Sequence, residues 1–205
     1  LCLMLPAVVI CLTVHECADG LAARALGDRT AERAGRLTLD PLAHIDPLGF
    51  LCMLLLGFGW ARPVPVNVSG FRIRNRKAGM AIVALAGPLS NLVLAFVSYI
   101  VALLLAYKVQ SDAMFIQTVQ MFFSYIGALS VGLGVFNLIP VHPLDGSRVL
   151  DAFLPYRIQA KLDRYQPIIL LAVVAIVYFG LFDLVINRVD NWILNLAVRA
   201  VFPFL

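Results

Sequence analysis

A histidine is followed at once by a glutamate, and by an aspartate four residues on, in the segment Val14-His15-Glu16-Cys17-Ala18-Asp19-Gly20. On a helix, positions 15 and 19 share a face and Glu16 sits beside it. That is the geometry of H-E-x-x-H, in which the i and i+4 side chains hold zinc and the glutamate acts as general base, with Asp19 in place of the second His. A second cluster runs Asn137-Leu138-Ile139-Pro140-Val141-His142-Pro143-Leu144-Asp145-Gly146. Pro140 and Pro143 break a helix and free backbone groups for a loop held inside the protein, and Asp145-Gly146 places a carboxylate at a turn. Between the two, Ala86-Gly87-Pro88-Leu89-Ser90-Asn91 combines a helix distortion with an amide able to bind a substrate backbone or an oxyanion. Ionisable groups within apolar segments are costly, and this makes them candidates for chemistry.

The elements that must carry these residues are membrane helices. The chain of 205 residues is 61% hydrophobic and 14% charged, with a mean hydropathy of +0.91, which excludes a disordered chain and an ordinary water-soluble domain. Its net charge of +4 does not point to nucleic acid, because the basic residues lie between apolar runs rather than along one polar face. Cys2, Cys11, Cys17 and Cys52 fall in or beside apolar segments with no CxxC pair, and are expected to be buried thiols.

The apolar pattern predicts an all-α polytopic membrane protein, one membrane-embedded domain over 1–205. Its spans are expected at about 1–26, 79–107, 113–139 and 165–186. The first apolar run, Leu1 to Val14, covers only about 21 Å of a roughly 30 Å hydrocarbon core, so this span is expected to begin before Leu1. It has no basic start and no small-residue cleavage site, unlike a signal peptide. Leu48 to Trp60 is too short to cross and is bounded by Pro47, Gly57 and Gly59, so region 48–78 reads as a re-entrant or β-hairpin segment. Within it Val64, Val66 and Val68 alternate with polar or proline partners, the pattern of an edge strand. An exposed edge can pair with an extended peptide; the competing reading is a basic ribbon on anionic headgroups. The tail 188–205 reads as an amphipathic interfacial helix.

Basic residues set the orientation. Arg29, Arg33, Arg36, Arg62, Arg72, Arg74, Arg76 and Lys77 occupy the first connection, and Arg148, Arg157, Lys161 and Arg164 the third, whereas the second, Lys108 to Asp112, has one Lys. The first and third connections are therefore expected in the cytoplasm and the N-terminus outside.

Taken in order, His15-Glu16, Gly87-Pro88-Leu89-Ser90-Asn91, and Asn137 through Asp145-Gly146 resemble the site-2 protease family of intramembrane zinc metalloproteases. The stretches Gly35 to Gly49 and Gly59 to Asn67 resemble its compact bacterial and archaeal branch, and the likeness covers most of residues 10 to 155. It implies one zinc ion per chain, held by His15 and Asp145 plus one more group, with Glu16 passing a proton from water to the leaving amine. It further implies that Asn91 or Asn137 binds substrate backbone or the oxyanion, and that the strand through Val64, Val66 and Val68 draws the substrate out. The expected setting is the plasma (inner) membrane, multi-pass, with the active site open to the cytoplasm. The expected partners are a transmembrane substrate protein and the lipid bilayer; a regulatory membrane partner or a homo-oligomer stays open.

The chain departs from the family pattern at two positions. Asp19 replaces the closing His of HExxH, and His142 replaces the first Pro of the family's Pro-Pro-Leu-Asp-Gly. Three accounts stand. Asp19 or His142, or both, complete the site; Asp19 ligates alone and His142 gates substrate or supports a ligand; or zinc binding is lost and the chain binds membrane helices without cleaving them. Asp19 beside Glu16 in an apolar bundle faces desolvation and like-charge repulsion, both relieved by a cation. A site richer in carboxylates is a weaker Lewis acid, so slow turnover is expected. His44 and Asp46 are expected to pair and shape the hairpin; Tyr99, Tyr178 and Asp183 are expected to serve helix packing or an interface. A transporter is disfavoured because the motif-bearing spans do not recur as an inverted repeat.

Overall fold

Along the first apolar run every fourth residue turns inward: Ala7, Cys11, His15, Asp19 and Ala23 are all buried. This stripe shares one helix face, so the polar pair His15 and Asp19 continues an apolar ridge rather than ending it. The computed structural model describes residues 2–56, 59–108 and 113–204. In it α1 (Met4–Ala25) passes straight through the His15–Asp19 cluster. It is followed by α2 (Thr30–Arg33), α3 (Pro47–Leu56), α4 (Arg76–Lys108), α5 (Met114–Asn137), α6 (Asp145–Asp151), α7 (Tyr156–Tyr178) and α8 (Asp183–Val201).

The chain forms an all-α membrane protein in which α4 is the hub, packed on α1, α5, α6 and α8. Cys11 joins α1 to α5, with its Sγ 3.1 Å from Ser130 Oγ. Ala95 and Tyr99 of α4 pack with Val131 and Val135 of α5 and with Ile193 and Ala197 of α8. The Tyr99 hydroxyl donates to Asp190 of α8, so Tyr99 serves helix packing, whereas Tyr178 is exposed. The opposite face of α4 presents Leu89, Val93 and Val97 outward, the surface a bilayer would cover.

Three described helices, α1, α4 and α5, are long and apolar enough to cross a membrane, and the expected fourth span is corrected. The apolar half of α7 runs only from Pro167 to Tyr178, about 18 Å at 1.5 Å per residue against a core of roughly 30 Å. The helix then stops, because Gly180 takes φ +70° and α8 restarts at Asp183. The C-terminal helix thus begins before residue 188, and its face of Ile193, Ala197 and Val201 is buried in protein. The second connection, 109–112, lies outside the described residues. All four cysteines are free; Cys11 and Cys17 are buried, but Cys2, which precedes α1, is exposed and Cys52, in the middle of the short helix α3, is half-buried.

The expected β-hairpin is also corrected. Among the described residues there is no strand, only an isolated antiparallel bridge between Ile45 and Ala61. Residues 61–67 are extended, but the Arg62 amide donates to His44 O at 2.8 Å, the Val64 amide to Glu16 Oε2 at 2.8 Å and the Asn67 amide to Asp28 Oδ2 at 2.6 Å. Pro63 and Pro65 have no amide hydrogen to give. A ladder cannot form where the donors are absent or spent on side chains. His44 and Asp46 do not pair: His44 Nε2 lies 2.8 Å from Thr38 O, and Asp46 Oδ1 accepts from the Gly49 amide at 2.7 Å.

Asp28 ties the end of α1 to this extended segment. One of its oxygens accepts from the Thr30 amide and hydroxyl and the other from the Asn67 amide. Burial pushes its carboxyl up, but those donors, with Arg33 nearby, outweigh burial and hold it below the usual carboxylate range. Its contribution to stability is therefore present above about pH 4 and lost as pH falls through its lowered folded value. Asp28→Ala is expected to cost about 2–3 kcal/mol, since two backbone donors lose a charged acceptor. Thermal unfolding in detergent from pH 6 to pH 2.5 checks this, with wild type losing stability below pH 4 more steeply than the variant.

Candidate metal centre

His15 and Asp19 come from the second half of α1, and Asp145 from the first turn of α6. The break after α5 that Pro140 and Pro143 impose turns the chain back, so that Asp145 meets α1. His15 Nε2 lies 3.0 Å from Asp145 Oδ2 and 3.8 Å from Asp19 Oδ2. One ligand atom from each of the three residues falls within 4.8 Å of the others. All three are at least nine-tenths buried.

Each group is held from behind. Asp19 Oδ1 accepts the Gly87 amide at 2.7 Å, which leaves Oδ2 facing His15. Pro88 lies inside α4 and interrupts its ladder of amide donors; on this distorted turn the Gly87 N–H is directed at α1. Gly87 is also the seat of the imidazole: a Cβ there would overlap the His15 ring at Nε2, Cδ2 and Cε1. The other ring nitrogen, Nδ1, lies 3.0 Å from Asn91 Nδ2. Glu16 is half-buried beside this group, one oxygen fixed by the Val64 amide.

The donor set suits a divalent cation. Three carboxylates, Glu16, Asp19 and Asp145, surround one imidazole inside an apolar bundle. Among the described residues no Lys or Arg nitrogen lies within 4.0 Å of any of them. Unpaired buried anions are strongly unfavourable, and an ion binding His15, Asp19 and Asp145 compensates them. One imidazole and two carboxylates form a three-ligand set, the number of protein ligands that catalytic zinc sites use, and His15 and Asp19 are each steadied by a second contact.

His142 is not brought to this centre. Its Nε2 lies 3.1 Å from Asp151 and its Nδ1 3.6 Å from Asp163, so the ring bridges α6 and α7 with both nitrogens engaged. Asn137 donates through Nδ2 to Leu133 O of its own helix at 2.9 Å. Val64 is buried beside Glu16, while Val68 is exposed in a short 3-10 turn. The part played by the Val64 amide was not foreseen, although a signal exists: between Pro63 and Pro65 it is the one donor, and it cannot serve a ladder.

Residues 3–180 match the model of peptidase family M50. The chain is 42% identical over 159 residues to "Putative zinc metalloprotease YwhC" of Bacillus subtilis (strain 168), covering 77% of this chain and 72% of that protein. It is 32% identical to "Putative zinc metalloprotease Rip2" of Mycolicibacterium smegmatis over 70% of this chain and 54% of that protein. With "Putative zinc metalloprotease MJ0611" of Methanocaldococcus jannaschii it shares 34% identity over 50% of this chain and 49% of that protein. No solved structure gives a significant match.

Gly87→Ala adds a good helix former to α4 but drives a methyl into the His15 ring. Purified protein analysed for bound zinc is expected to show at least a tenfold loss of affinity in Gly87→Ala, and wild-type binding in His142→Ala.

Proposed function

The chain belongs to peptidase family M50, the site-2 protease family, and from that premise we propose that it is a zinc-dependent intramembrane endopeptidase with one ion held by His15, Asp19 and Asp145. The observation that carries this reading is the convergence of those three side chains from α1 and α6 beside Glu16. Bound zinc supplies Lewis acidity, polarising a carbonyl and lowering the pKa of water toward about 7.

The chain's own residues do the rest. Glu16 is oriented by the Val64 amide and takes the proton that water loses as it adds to the scissile peptide carbonyl. It returns that proton to the leaving amine as the C–N bond breaks, so that one water is consumed and one acid and one amine are released. The substrate is a transmembrane helix unwound at the cleavage point, because a regular helix keeps its carbonyls paired. The extended residues 61–67 run past Glu16 and offer a surface along which such a segment can lie, by carbonyls and side chains rather than by a full ladder.

The basic first and third connections support a setting in the plasma membrane with the N-terminus outside and the centre open to the cytoplasm. Two carboxylate ligands make the site a weaker Lewis acid than one with two imidazoles, so turnover is slow. Glu16→Gln reconstituted with a transmembrane substrate is expected to lose at least 100-fold in cleavage rate while keeping bound zinc; Asp19→Ala is expected to lose both. Unchanged cleavage in Glu16→Gln would defeat the assignment.

A further inference from the structure

Asn91 is wholly buried, and its amide meets the His15 ring from the side opposite the candidate ligand atom: Nδ2 lies 3.0 Å from Nδ1, while Asn91 Oδ1 is buried with no partner. His15 Nε2 faces Asp145 Oδ2 at 3.0 Å, on the side where a metal would bind. Metal binding through Nε2 needs the lone pair there, which in a neutral imidazole puts the proton on Nδ1, and that N–H then needs a buried acceptor.

We propose that Asn91 is a positioning residue for His15: its side-chain amide supplies the oxygen that accepts the Nδ1–H of the metal-binding tautomer. The inference rests on the reading of His15, Asp19 and Asp145 as a zinc centre. Asn91 Oδ1 has no other partner, so no second donor competes for it. The ring cannot swing away to find another acceptor, because Gly87 closes one of its faces. Gly87 and Asn91 are four residues apart on α4 and share a face; one turn of helix thus both seats the ring and answers its second nitrogen. Metal-ligating histidines generally donate their other N–H to an oxygen acceptor, and Asn91 Oδ1 is the buried oxygen placed to be that acceptor.

The test measures zinc affinity of the purified full chain by competition with a chromophoric chelator, alongside thermal unfolding of the metal-free protein. Asn91→Leu keeps the volume without the acceptor and is expected to weaken zinc binding 10- to 100-fold. Asn91→Asp keeps an oxygen acceptor and is expected to stay within a few fold of wild type. Wild-type affinity in Asn91→Leu with impaired peptide cleavage would assign Asn91 to the substrate and overturn the inference, as would an equal loss of affinity in both variants. Wild type, which depends on no variant folding, gives a second readout: in histidine-labelled, zinc-loaded protein the 15N shift of His15 Nδ1 is expected to be of the N–H type. An unprotonated Nδ1 in that state overturns the inference. Failure of wild type itself to bind zinc would instead overturn the metal reading on which this inference stands.

Discussion

Three carboxylates and one imidazole share a small volume inside an apolar helix bundle, and much of the polar architecture of the chain holds them there. Burial of like charges is tolerated only where each group has partners and a cation can balance them. Asp19 has the Gly87 amide, Glu16 has the Val64 amide, and Asp145 and Asn91 take the two nitrogens of His15. Most of these partners lie far away in sequence, so the centre exists only when α1, α4, α6 and the extended segment are assembled together.

Helix α4 carries most of that burden. Its outer face of Leu89, Val93 and Val97 is apolar and exposed, while the inner face of the same turns bears Gly87, Pro88 and Asn91. Glycine removes the side chain that would exclude the His15 ring, proline distorts the ladder, and asparagine reaches the ring edge. Spacings of one and four residues on a single helix therefore serve geometry more than composition, and at Gly87 any added side chain would meet the His15 ring of α1.

The extended segment shows how local chemistry overrides a periodic pattern. Alternating valines at 64, 66 and 68 suggest an edge strand, yet Pro63 and Pro65 bring no donor, and the amides of Val64 and Asn67 go to the side chains of Glu16 and Asp28. The segment is thus a strap that positions the proposed general base. In the same way α7 reads as apolar through Ile186, but the chain turns at Gly180, and a stretch that composition would place across a bilayer becomes two shorter helices.

By itself the sequence determined the membrane class, the three principal spans, and the identity of the chemical groups: His15 and Asp19 at i and i+4 fix a shared helix face wherever α1 sits, and the breaks at Pro140 and Pro143 require a loop before Asp145. It left open whether Asp19 or His142 joins that pair, because both stand in the right motifs and nothing local separates them. The tertiary structure separates them in space: His142 lies between Asp151 and Asp163, whereas Asp19 Oδ2 faces His15. It also supplied the partners of Glu16 and of His15 Nδ1. Such pairings depend on contacts between residues tens of positions apart, and no helical or strand period encodes which distant backbone amide or side-chain oxygen will arrive at a given atom.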